Sequence, residues 1–170
     1  MRRLTVIFVL ALLAAACGGE QISEQLAEEA IGGNADVNIS GDGDDFSISV
    51  ESDEGSFELG SGASLPDGLS VPAPDGGDVT ASFSDDNSVG ASIMYPGDRY
   101  EEIVAFYESW TAGTGDEWQN STSTFEVEGE TQRTSQWNNG GNQYFILVGD
   151  CVDIGTGEFT SACVTINENL

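Results

Sequence analysis

The sequence predicts an α+β fold: an antiparallel sheet built as ββα followed by a β-meander, one helix packed on one sheet face, and ahead of it a short helix and an acidic β-meander. Three observations predict it. Apolar residues alternate with polar ones over most of the chain, the period-2 signature of half-buried strands. One long stretch, Ile103, Phe106, Tyr107 and Trp110, instead repeats at helical spacing. Gly/Asn/Asp turn signals separate the alternating runs at short intervals.

The elements follow in order. Met1-Arg2-Arg3 and the 13 residues Leu4 to Ala16 form a basic start and an apolar run. At about 1.5 Å per residue, such a run is too short for a hydrocarbon core of about 30 Å and reads as a signal peptide over 1–16. Residues 17–34 hold Cys17 and a short stalk helix. Ile22, Leu26, Ala27, Ala30 and Ile31 fall on one side, Glu24, Glu28 and Glu29 elsewhere, and Gly32-Gly33-Asn34 ends it. Its apolar side has three possible seats: the domain, a partner or the membrane.

Residues 35–60 alternate as three short strands: Val37 and Ile39, then Phe46, Ile48 and Val50, then Phe57 and Leu59. Between the first two lie Asp42, Asp44 and Asp45, candidate calcium ligands by their i, i+2 spacing, although the later glutamate of an EF-hand loop is missing. Acidic turns also serve as solvated guards on sheet edges. Residues 61–78, with Pro66, Pro72 and Pro74 among Gly, Ser and Asp, read as an extended linker.

The main α+β domain is expected over 79–170. Val79 to Phe83 and Val89 to Tyr95 give two strands, and Asp98 with Glu101 suggests a capping box opening the helix. Gly113 and Gly115 close it. Four strand-like runs follow, near Ser121–Glu128, Thr131–Trp137, Gln143–Asp150 and Phe159–Asn167.

Charge sets the excluded chemistry. The 170 residues carry 30 acids, four arginines, no lysine and no histidine. Removal of residues 1–16 would leave only Arg99 and Arg133 and a charge of −28. Catalysis by a histidine triad, a Walker A lysine or an HExxH zinc site is impossible without those residues. Nucleic acid is excluded as a partner for want of clustered cations. No cofactor is indicated. A carboxylate-dependent hydrolase remains chemically open, though with 30 acids a chance pair carries no information. Among the aromatics that could line a sugar-binding face, Trp110 and Phe145 read as core by periodicity, Trp118 and Tyr144 are left open, and Trp137, beside a hairpin turn, is the exposed candidate for ligand binding.

Three cysteines in an exported chain require an account. Cys151 and Cys163 flank a turn-like stretch, so a hairpin would bring them onto neighbouring strands within bridging distance. A zinc site would need a fourth ligand and shorter spacing. That leaves Cys17, where Ala14-Ala15-Ala16-Cys17-Gly18-Gly19 fits either ordinary secretory cleavage or lipidation.

The segment resembles the lipobox of bacterial lipoproteins. Together with the Glu-rich helix, the acidic Asp/Gly β segment, Leu65-Pro66-Asp67-Gly68, Phe106-Tyr107 and Trp118, the chain resembles small exported lipoproteins common in high-GC Gram-positive bacteria. The resemblance implies lipid on Cys17 and a place on the outer face of the cytoplasmic membrane, or on the outer membrane in a Gram-negative source. It hands over no active site. The function expected is therefore a non-catalytic, lipid-anchored envelope protein displaying a small binding domain toward an envelope protein or ligand. The alternatives are a calcium-binding or adhesion module, with divalent cations as partners, and the hydrolase.

Overall fold

The computed structural model describes residues 35–41, 46–60, 62–127, 130–139, 141, 143–152 and 161–170. The signal segment, Cys17, the stalk helix and Asp42, Asp44 and Asp45 lie outside the described residues. The rest forms nine strands and one helix: β1 (Ala35–Ser40), β2 (Ser47–Ser52), β3 (Gly55–Gly60), β4 (Asp78–Asp85), β5 (Ser88–Tyr95), α1 (Tyr100–Thr114), β6 (Trp118–Val127), β7 (Glu130–Asn139), β8 (Tyr144–Cys151) and β9 (Ser161–Asn169).

All nine strands belong to one antiparallel sheet, in the order β1-β2-β3-β4-β5-β9-β8-β7-β6. This corrects the expected α+β arrangement of a ββα-meander domain preceded by a separate acidic meander. The described residues form a single large sheet carrying one helix. Alternation reveals strands but not the edge each one seeks, and β3 finds β4 with Phe57 opposite Phe83 and Leu59 opposite Ala81. After β5, α1 carries the chain to the far edge, and β6 to β9 return until β9 pairs with β5 over eight residues. β5 lies inside the sheet, and Val89, Ala91, Ile93 and Tyr95 on its helix side are all buried.

The two halves of the sheet bury opposite faces. One cross-strand row runs Ile146, Ile166, Ala91, Ser82, Glu58. At the β8–β9–β5 end this face is apolar and carries α1; at the β3 end it is polar. The α1 side chains buried against the sheet are Tyr100, Ile103, Tyr107 and Thr111. Phe106 and Trp110, expected on that stripe, lie at its margin, partly buried.

The expected capping box at α1 does not form. Arg99 is the N-cap and makes no side-chain cap. The Asp98 carboxylate is tied to Arg133 on β7, accepting from Nη2 at 2.8 Å, with the Tyr100 backbone amide as a lesser donor. At the other end Gly115, at φ +79°, closes the helix in the left-handed conformation.

The Pro/Gly segment read as a linker is extended but anchored along its length. The Glu58 carboxylate accepts from the Ser64 amide at 2.8 Å. Glu168 accepts from the amides of Ser70 (2.8 Å) and Val71 (3.4 Å) and from the Ser70 hydroxyl. Tyr107 donates to the Pro72 carbonyl, Tyr95 to that of Pro74, and Arg99 to that of Asp75. Val71 is driven fully into the main core. Where the strap meets β5, a Cβ on Gly77 would stand 2.5 Å from Ile93 Cγ2 and 2.6 Å from the Tyr95 ring. Only glycine permits that approach.

Candidate functional site

Trp137 does not serve as an exposed ligand ring. It is 2% exposed, opposite Ile146 on β8 and against the Tyr107 ring at 5.8 Å. The sequence position beside a hairpin turn suggested exposure, but α1 lies over that face of the sheet. The aromatic group that does reach the surface is built from three elements. Trp110 comes from the last turns of α1, Trp118 from the first residue of β6 and Tyr144 from the first residue of β8. Trp118 meets Trp110 edge-on at 5.4 Å and stacks on Tyr144 at 5.8 Å. Thr114 holds the Trp118 indole N–H at 2.8 Å. All three rings are half-buried, backed by the main core. Pairing of Trp118 with Asn139 across β6–β7 is what aligns them. Only the sheet order places β6, β7 and β8 side by side, so spacing in the sequence carries no signal for this cluster.

Arg99 and Arg133, the two arginines among the described residues, serve as structural clamps. Arg133 grips Asp150 with Nε at 2.9 Å and Nη2 at 2.7 Å, and also reaches Asp98 and, at 3.4 Å, Glu101. Its guanidinium lies 4.4 Å from the centre of the Tyr100 ring, adding cation–π attraction. The bond to Asp150 first, and that to Asp98, raise the arginine's pKa above its ordinary value, while the Arg133 bond holds Asp98 below the usual carboxylate range. Arg99 pairs with Glu102 and stacks 5.2 Å from the Tyr95 ring. Burial pushes the Tyr95 hydroxyl up to about 12, partly offset by Arg99.

The inward carboxylates are committed to similar structural bonds. Glu168 is 3% exposed and holds the strap; nothing in the sequence sets it apart from 29 other acids. Replacing Glu168 by alanine strands two amides and a hydroxyl. It is expected to cost about 2 kcal/mol, since each buried unpaired donor loses its desolvation compensation. Chemical denaturation with hydrogen exchange over 62–77 checks this. A strap that stays as protected as in the wild type would refute it.

Acidic groups do gather at one end of the sheet. The β2–β3 and β4–β5 turns bring Glu51, Asp53, Glu54, Asp85 and Asp86 around an open cavity of about 440 Å³. Asp85 is already occupied by its own turn, its Oδ1 accepting from the amides of Asn87 and Ser88. Among the described residues no set of three His, Cys, Asp or Glu side chains could hold a metal ion. No described helix is long and apolar enough to cross a membrane.

Cys151 and Cys163 are joined by a disulfide, with Cα atoms 5.7 Å apart. The bond runs diagonally between neighbouring strands, since Cys151 opposes Ser161 and Cys163 opposes Gly149. Comparison with protein-family models, with curated proteins and with solved structures gives no match. The functional reading therefore rests on the chain's own chemistry.

Proposed function

We propose that this is a non-catalytic, lipid-anchored envelope protein that displays a binding domain outside the cytoplasm. The observation that carries this reading is the disulfide. Bonds of this kind persist in oxidising compartments, and Cys151 with Cys163 accounts for two of the three cysteines. The third, Cys17, stands directly after Ala14-Ala15-Ala16 and before Gly18-Gly19, where the lipobox resemblance calls for acylation. A non-catalytic role is supported by the buried and clamped carboxylates, Glu168 and Asp150, whose oxygens already accept structural bonds.

The surface on display is the Trp110–Trp118–Tyr144 cluster. Half-exposed rings held by a rigid sheet and helix give an amphipathic contact area at little conformational cost. A uniformly acidic chain favours an uncharged or cationic ligand there. Detergent-phase partitioning tests the anchor. The wild type is expected in the detergent phase and Cys17→Ser in the aqueous phase. Equal partitioning of the two would defeat the lipidation reading.

A further inference from the structure

β6 ends the sheet order on one side, and among the described strands only β7 pairs with it. Every residue from Gln119 to Glu126 is exposed. About half of this strand's amides and carbonyls therefore face away from β7, with no described strand beside them.

Proteins guard such an edge with short length, charge, proline or a bulge. β6 has little of this. It runs ten residues without Pro or Gly, and from Trp118 to Phe125 it holds no charged side chain. Its pairs with β7 keep one register throughout, whereas β4–β5 shifts between Val79 and Ala81. Hydroxyl contacts at 2.8 Å, Thr122 with Ser135 and Ser123 with Thr134, tie its side chains back to β7. β1, at the other end of the order, spans only six residues and carries Asp36.

At the scale of single strands, the acidity of the chain has a gap here. Of the 30 acids, none lies in 118–125 or in 131–149, which make up most of β6, β7 and β8. Glu126 and Glu130 sit beside the β6–β7 turn, and Asp116 and Glu117 precede the strand. Away from these ends, two strand spacings of about 4.8 Å set the next acids of the sheet about 10 Å back. That exceeds the screening length of about 8 Å at physiological salt.

We propose that β6 pairs antiparallel with β6 of a second copy, about a twofold axis at Thr122. This register opposes Ser121 to Ser123, Asn120 to Thr124, Gln119 to Phe125 and Trp118 to Glu126. No acid meets an acid. An axis one residue earlier would set Glu126 against Asp116, a destabilising like-charge pair. The mate of such an edge must offer an uncharged strand of equal length, and the segment read in reverse supplies one. Pairing also covers Phe125, which is 45% exposed in the single chain.

The contact uses the same surface on both copies, so association closes at two. Its axis stands perpendicular to the sheet, which leaves both α1 helices and both Trp110–Trp118–Tyr144 clusters on one side. The two Trp118 residues fall about eight positions apart along the paired strands, or about 27 Å. A ligand with two contact points then gains avidity. That consequence rests on the clusters being the displayed surface; the pairing itself does not.

Sedimentation equilibrium and hydrogen exchange on the full chain, in one detergent for all variants, test it. With rising concentration the wild type is expected to form a dimer, exchange in β6 slowing in step while β8 and β9 stay unchanged. Added salt should tighten the dimer by screening the outlying acids. Ser121→Lys/Ser123→Glu sets unlike charges opposite each other across the axis, and Ser121→Lys/Ser123→Lys sets like charges. The first is expected to dimerise about tenfold or more tightly than the second, although the second has the less negative net charge. Unchanged β8–β9 protection shows that both fold. On mild oxidation Thr122→Cys, opposite its own copy, should give a disulfide-linked dimer, and Gln119→Cys, opposite Phe125, should not. Equal dimerisation of the two double variants overturns the proposal. So does growth past two copies, or a dimer protected at strands other than β6. A wild type still monomeric at about 1 mM defeats it too; β6 protection gained only in envelope extract would then assign the edge to a foreign strand.

Discussion

Replacing Trp137 by alanine is expected to destabilise the protein by about 4 kcal/mol, the scale for deleting a buried aromatic from a core that collapses only partly. The indole lies between the sheet and α1, with Ile146 beside it on β8 and Tyr107 above it. Tyr107 cannot follow into the void without giving up its bond to the Pro72 carbonyl, so the loss would spread to the strap. Against a total of about 5–15 kcal/mol for a typical domain, one substitution removes a large share. Urea denaturation measures it. A cost below about 1 kcal/mol would mean that Trp137 does not bridge helix and sheet. Trp137→Phe, which keeps a ring against Tyr107, is expected to fall between alanine and wild type.

The same residue shows what the sequence made legible. Periodicity located each strand of the described region within a few residues, because alternation records which side chains face water and which do not. It located α1 for the same reason. It could not tell Trp137 from an exposed ring, since burial on a sheet face depends on what is laid over it, and α1 comes from a distant part of the chain. Nor could it show that β3 joins β4. Register and neighbour choice depend on side-chain pairs such as Phe57 with Phe83, which the sequence lists without pairing. The Pro/Gly strap misled for a related reason. Its composition is that of a linker, while its fixation comes from Glu168, Tyr95 and Tyr107. The aromatic surface cluster of Trp110, Trp118 and Tyr144 was invisible until β6, β7 and β8 lay side by side.

Removing the disulfide, as Cys151→Ser/Cys163→Ser, is expected to cost about 3 kcal/mol. The chain-entropy model gives this scale for closing a short loop, here of sequence separation 12. The reason is geometric as well as statistical. β9 lies between β5 and β8, and its pairing with both is the contact that joins the two halves of the sheet. The bond sits where β8 ends and β9 begins, at Cys151–Ser161, so it fastens the end at which that hairpin would fray. Its loss should therefore lower the denaturation midpoint and accelerate exchange first at Asp150, Cys151, Ser161 and Ala162. Because the bond constrains mainly the unfolded chain, the denaturant dependence of the free energy should rise as the unfolded state expands. Reductant applied to the wild type should reproduce the stability loss, and applied to the double variant it should change nothing. A variant as stable as the wild type would show that the β8–β9 ladder alone closes this hairpin. It would also remove the main support for an oxidising location, because a bond that stabilises nothing gives the fold no stake in the compartment where it forms.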